Sequence, residues 1–82
     1  MESFIGQICY FPWNWTPRGW ARCDGQFLAV SKYMVLYSLI GIEFGGDGRT
    51  TFALPKIDPI ATAKSGNIYA YICLDGIFPG RS

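Results

Sequence analysis

Residues 45–52 read Gly-Gly-Asp-Gly-Arg-Thr-Thr-Phe, and this run constrains the chain more than any other stretch. Glycine reaches positive φ at little steric cost but loses the most conformational freedom on folding, so the run specifies a loop rather than a helix or a strand. A glycine-rich loop raises the question of a phosphate cradle. This one lacks the lysine of a P-loop and does not open a helix, which removes the nucleotide reading. Two alternatives remain. In one, Arg49 is an anion ligand, Thr50 and Thr51 lend hydroxyls, and successive backbone N–H groups form a small nest. In the other, Asp47 and Arg49 tie the loop to its own backbone or to a neighbouring subunit.

A chain of 82 residues has room for one domain, taken here as residues 1–82. Domains of this size bury only about 60–65% of their unfolded surface, so a disulfide, a metal or oligomerisation usually supplements the core. Half the residues are hydrophobic and 16% are charged, against a typical charged share of about 25%. So apolar a surface points to self-association, and a homo-oligomer is the expected state. The net charge of +1, with no run of like charge, gives no footprint for nucleic acid or an anionic membrane. Cys9, Cys23 and Cys73 cannot all pair within one chain. Without CxxC spacing or a histidine they read as small, half-buried hydrophobes rather than zinc ligands, and a disulfide is the alternative. Cys9 and Cys73 fall on the first and last expected strands and so lie near each other. The N-terminus shows neither a signal peptide nor a transmembrane helix, so production in the cytoplasm is expected.

Phe4 to Phe11 is rich in β-branched and aromatic residues and reads as a strand stopped by Pro12. Residues 12–19 form a loop between two prolines. Its Trp13 and Trp15 either fold back onto the core or make a contact surface. Trp20 to Cys23 is a short strand entering a hairpin at Asp24-Gly25, with Gln26 to Val30 as return arm or loop. Ser31 suits a helix N-cap. Tyr33, Leu36, Tyr37 and Ile40 then recur at spacings of three and four, predicting a helix over 32–40 with Gly41 at C′. Its outer face carries little charge, so the helix is expected to be covered on both sides. Phe52 to Pro55 is a short extended piece, 56–66 a connector, and Asn67 to Leu74 the clearest strand, apolar on both faces as a central strand is. The fold class is α+β: a small sheet of three to four short strands, one helix and a long glycine-rich loop.

Catalytic constellations are missing. With no histidine there is no Ser-His, Cys-His or His-metal arrangement. Asp24, Asp47 and Asp75 each precede glycine, where a turn role accounts for them. The chain reads as non-enzymatic, with no cofactor and no metal.

Three motifs in order resemble the phage tail collar domain family: Arg18-Gly19-Trp20-Ala21-Arg22-Cys23-Asp24-Gly25-Gln26, then Leu36-Tyr37-Ser38-Leu39-Ile40-Gly41, then Gly45 through Pro55. The resemblance covers about residues 4–55 and implies a helix, a loop and three strands, with a structural role in a tail-like or surface appendage. It implies a virion or extracellular location, with tail or baseplate proteins as partners. After Pro55 the chain departs from the family pattern, reading Lys56-Ile57-Asp58-Pro59-Ile60, and only a short connector precedes the last strand. The long insertion that carries receptor-related function in tail-fibre members is absent. Assembly into a ring, trimer or filament is therefore the first expectation. The second is a glycan- or anion-binding module. Trp13, Trp15, Arg18, Trp20, Asp47, Arg49 and Thr50 are the candidate residues for either.

Overall fold

The computed structural model describes residues 3–63 and 66–79. Among them are six strands and one helix: β1 (Ile8–Phe11), β2 (Trp20–Arg22), β3 (Phe27–Ala29), α1 (Met34–Ile40), β4 (Thr51–Ala53), β5 (Ile60–Ala61) and β6 (Asn67–Cys73). All pairing is antiparallel. The larger sheet runs β1-β6-β2, with β5 also paired to β6, and the smaller one is β3-β4. The three to four strands expected in one sheet are thus six in two, the added ones being only two or three residues long.

The last strand is the centre of the larger sheet, and its run Ala70 to Cys73 is buried. Period-two alternation divides this run between two faces. Ala70 and Ile72 join Ala21, Cys23, Leu36, Phe52 and Leu54 in the main core, against which Tyr33, Tyr37 and Ile40 of the helix region pack. Tyr71 and Cys73, no more than 1% exposed, face the other way, so the sheet needs a second cover.

Three expectations are corrected. Phe4 to Phe11 is not one strand. The chain turns at Ile5-Gly6, where Gln7 N–H donates to the Phe4 carbonyl at 3.0 Å, and only Phe4 bridges in parallel to Ile77. Asp24-Gly25 does not close a hairpin. Residues 23–26 instead run antiparallel to 54–57: Leu54 N–H donates to the Gln26 carbonyl and Ile57 N–H to the Cys23 carbonyl, both at 2.9 Å. The bridge Asp24↔Lys56 keeps the register of Phe27↔Ala53, so the dipeptide lies in the middle of a long-range pairing. Gly25, at φ +82°, lets the backbone pass through it, and Asp24 Oδ1 accepts the Gln26 N–H at 3.1 Å. Ser31 caps nothing. It lies exposed in a turn, the helix begins at Met34 after Tyr33, and no side chain caps it. The other end is as expected in kind: Gly41, at φ +60°, sends its N–H back to the Tyr37 carbonyl at 2.7 Å.

The outer face of α1 is not covered within the chain. Met34, Val35 and Leu39 are 65%, 40% and 41% exposed. All three cysteines are free. Burial, with Asp24 adding repulsion, pushes the Cys23 thiol up to about 11, so it stays neutral and acts as a small core hydrophobe.

Phe52 is fully buried and its ring lies 5.5 Å from that of Tyr37, linking β4 to α1. Phe52→Ala is expected to cost about 3–5 kcal/mol. A domain of this length holds roughly 4–12 kcal/mol in total, so urea denaturation of the variant should show a large fall in midpoint or no native baseline.

Candidate functional site

The second cover of the sheet is the loop between β1 and β2. Cys9, Phe11, Trp20, Arg22, Tyr69, Tyr71 and Cys73 share the face opposite the main core, as their registers require. The loop lays its aromatics on this face as a stack. Phe11 and Trp13 are parallel at 4.7 Å, Trp13 and Trp15 at 5.0 Å, while Trp20 meets Phe11 edge-on at 5.8 Å. Trp13 is therefore covered on both ring faces. Trp15 is the open end of the stack, 59% exposed.

Arg22 holds the loop down. Its Nη2 donates to the Asn14 carbonyl at 2.7 Å and to the Tyr71 hydroxyl at 3.0 Å, and Tyr71 donates in turn to the Trp13 carbonyl at 2.9 Å. The guanidinium lies 4.3 Å from the Tyr69 ring centroid, a cation–π contact. Two donors in this layer, Trp13 Nε1 and Arg22 Nε, are buried without an acceptor among the described residues. Such orphans cost about 1–3 kcal/mol each, so the stacking and the three hydrogen bonds must outweigh them for the loop to stay down. Beside the layer opens a cleft of about 460 Å³, walled by Trp20, Arg22, Asn14, Thr16, Gln26 and neighbouring residues. Its size falls in the range of small-ligand sites.

The second candidate group is separate. In the segment between α1 and β4, Asp47 Oδ1 accepts the backbone N–H groups of Arg49, Thr50 and Thr51 at 2.8, 2.9 and 3.0 Å, and its Oδ2 accepts the Thr50 hydroxyl at 3.0 Å. The carboxylate occupies the N–H groups that an anion nest would offer. These bonds favour its charged form and hold its carboxyl well below the usual carboxylate range, the Thr51 N–H contributing most. The segment is tied to the fold by Tyr37, whose hydroxyl donates to the Gly48 carbonyl at 3.1 Å, and by the Ala53 N–H on the Gly45 carbonyl at 3.0 Å. Gly46 sits at φ +102°, and a Cβ there would fall on Phe52 Cα and the Thr51 carbonyl oxygen, so only glycine fits.

Of the sequence-predicted residues, Trp13, Trp15 and Trp20 come together through Phe11, and Asp47, Arg49 and Thr50 come together through the Asp47 carboxylate. Arg18 lies exposed in the turn before β2. No hydrogen bond or ring contact among the described residues joins Arg49 to the tryptophans. Sequence reasoning missed Arg22, Tyr69 and Tyr71. The usable signal was alternation: Trp20 and Arg22 are two apart on one strand, Tyr69 and Tyr71 on another.

The family model for the phage tail collar domain matches residues 6–58, more than half of the 82 residues. The chain belongs to the phage tail collar domain family. A structural role in a phage tail, in association with other tail components and the virion, follows at the level of the family. No curated protein matches the chain, and no solved structure does. The matched stretch of the collar domain takes in the aromatic loop, α1 and the Asp47 turn, and stops before β5 and β6. Among the described residues, no group of His, Cys, Asp and Glu could hold a metal, and no helix is long and apolar enough to cross a membrane.

The depressed Asp47 carboxyl sets a pH dependence. Its contribution to stability is fully present above the unfolded value, near 3.8, and is lost as pH falls from there toward the lower native value. Asp47→Ala should melt below wild type at neutral pH, and the gap in Tm should narrow as pH drops below about 4. A gap constant from pH 7 to pH 3 would contradict the carboxylate's role.

Proposed function

We propose that the chain is a non-enzymatic structural protein in which residues 1–82 act as one collar unit that self-assembles, as a ring, trimer or filament, within a phage-tail-like or surface appendage. The supporting observation is the apolar surface left open beside the core. Met34, Val35 and Leu39 of α1 are 65%, 40% and 41% exposed, and Ile42 and Phe44, in the segment after the helix, are 52% and 48% exposed. A surface of this kind on so small a domain marks an interaction site. Copies of the chain meeting there would supply the burial that the outer face of α1 lacks, and tail or baseplate proteins are the further partners. Sedimentation velocity at tens of micromolar tests this. Wild type should run as a defined oligomer, and Val35→Asp/Leu39→Asp should shift it toward monomer. Each apolar side chain removed from such an interface is worth about 1.5–3 kcal/mol, a tenfold effect or more. A wild-type protein that stays monomeric sinks the reading.

A second reading, glycan binding, is favoured by the exposed Trp15 at the end of the stack, whose chain neighbours Asn14 and Thr16 wall a cleft together with Trp20, Arg22 and Gln26. Aromatic faces stack on sugars, and the polar wall would meet their hydroxyls. Trp15→Ala should abolish binding on a glycan array if the reading holds, and a silent wild-type array removes it. With its N–H groups taken by Asp47, the 47–51 turn is read as part of the scaffold, and an anion there would meet only the Arg49 side chain.

A further inference from the structure

The larger sheet ends at β1, and this edge is left open. Its inner side is bonded to β6: Cys73 N–H donates to the Gln7 carbonyl at 2.9 Å, and Cys9↔Tyr71 and Phe11↔Tyr69 continue the same set of hydrogen-bonded pairs. Antiparallel alternation then turns the N–H and C=O groups of Ile8 and Tyr10 outward. None of these four groups has a partner among the described residues. The side chains beside them are open too, Ile8 at 39% and Tyr10 at 47% exposure.

An edge of this kind is a template for another strand, and proteins that keep one free usually guard it with lysine, an inward charge or a bulge. β1 has no such guard. Its four pairs with β6 follow without a bulge, and no charged residue occurs from Ser3 to Pro17. Only Pro12 limits the strand, at its C-terminal end.

We propose that β1 pairs antiparallel with β1 of a second copy about a two-fold axis at Cys9, so that the sheet continues from one chain into the other. The pairing rests on the self-assembly reading above and adds a second contact to the α1 face; two-fold pairs joined through that face extend into a filament or an even-numbered ring, not a trimer. The occupant follows from self-complementarity. With the axis at Cys9, Ile8 of each copy faces Tyr10 of the other, and all four outward groups on each edge are used, making four hydrogen bonds. An axis at Tyr10 would set Ile8 against Pro12, which has no N–H, and an axis at Ile8 would set Tyr10 against Gly6, whose N–H is already given to the Cys73 carbonyl. The interface is isologous, as a two-fold contact requires. It places Cys9 opposite Cys9 in a non-hydrogen-bonded pair, with Cα atoms about 4.5 Å apart, inside the range that a disulfide spans.

The test uses the full chain. Diamide, which takes up the two protons and two electrons released by a pair of thiols, should link wild-type protein into a dimer, and peptide mapping should find Cys9 joined to Cys9, since Cys23 and Cys73 are buried. Tyr10→Pro removes one outward N–H and spares the bonds that residues 7, 9 and 11 make to β6. Tyr10→Lys places a charge on the edge and serves where the proline variant does not fold, as checked by circular dichroism. Each should weaken self-association at least tenfold in sedimentation. An oligomer that gives no Cys9–Cys9 link, or that Tyr10→Lys leaves intact, overturns the edge pairing while self-assembly stands. A wild-type monomer at tens of micromolar overturns both.

Discussion

Hydrogen bonding on both sides of β6 is the constraint on which the rest of the molecule depends. This strand pairs with β1 along one edge and with β2 along the other, so residues near opposite ends of the chain are held in one sheet. Both of its faces are buried, and each needs a cover. The main core, built with α1 and β4, covers one. The loop of residues 12–19 covers the other. Without β6, neither β1 nor β2 has a partner, and the aromatic loop has nothing to lie on.

The two covers are secured by different physics. On the main-core side the bond is burial: Leu36, Phe52 and Leu54 are at most 1% exposed, and Tyr37 links helix and strand. On the loop side it is a polar network beneath an aromatic stack, with Arg22 and Tyr71 satisfying the carbonyls of Asn14 and Trp13. A short chain cannot grow a second hydrophobic core, and a loop lying over a sheet must still satisfy its backbone groups. One arginine and one tyrosine meet that need.

The Asp47 turn answers the same backbone requirement. Three consecutive N–H groups converge on one side chain, so the turn supplies its own anion. Gly46 allows the approach of this turn to β4, where a Cβ would collide with the backbone. The turn thus lies close against β4, in which Phe52 is fully buried. What the fold does not cover is apolar surface, on the outer face of α1 and along β1, which fits a family whose members work within a larger tail structure.

Much of this was legible in the sequence. The apolar run of 67–74 announced a central strand, the i, i+3, i+4 stripe announced the helix, Gly41 marked its end, and the three ordered motifs pointed to the collar family. These signals are local, since periodicity and turn chemistry are written in neighbouring residues. Strand partners were not legible. Asp24-Gly25 has the chemistry of a hairpin turn, yet its flanks pair with residues 54–57, because the same backbone donors and acceptors are available to a distant segment that also buries Leu54. Ser31 had cap chemistry, but the helix starts past it. Of the candidate site, the tryptophans and Asp47 were visible as residue types, whereas the roles of Arg22 and Tyr71 came from strands 49 residues apart in sequence. Composition and periodicity determined which residues seek burial and on which face of an element they lie. Only tertiary structure decided which strand each edge would meet, because backbone hydrogen bonds carry no residue identity and the choice is made by the burial of the whole.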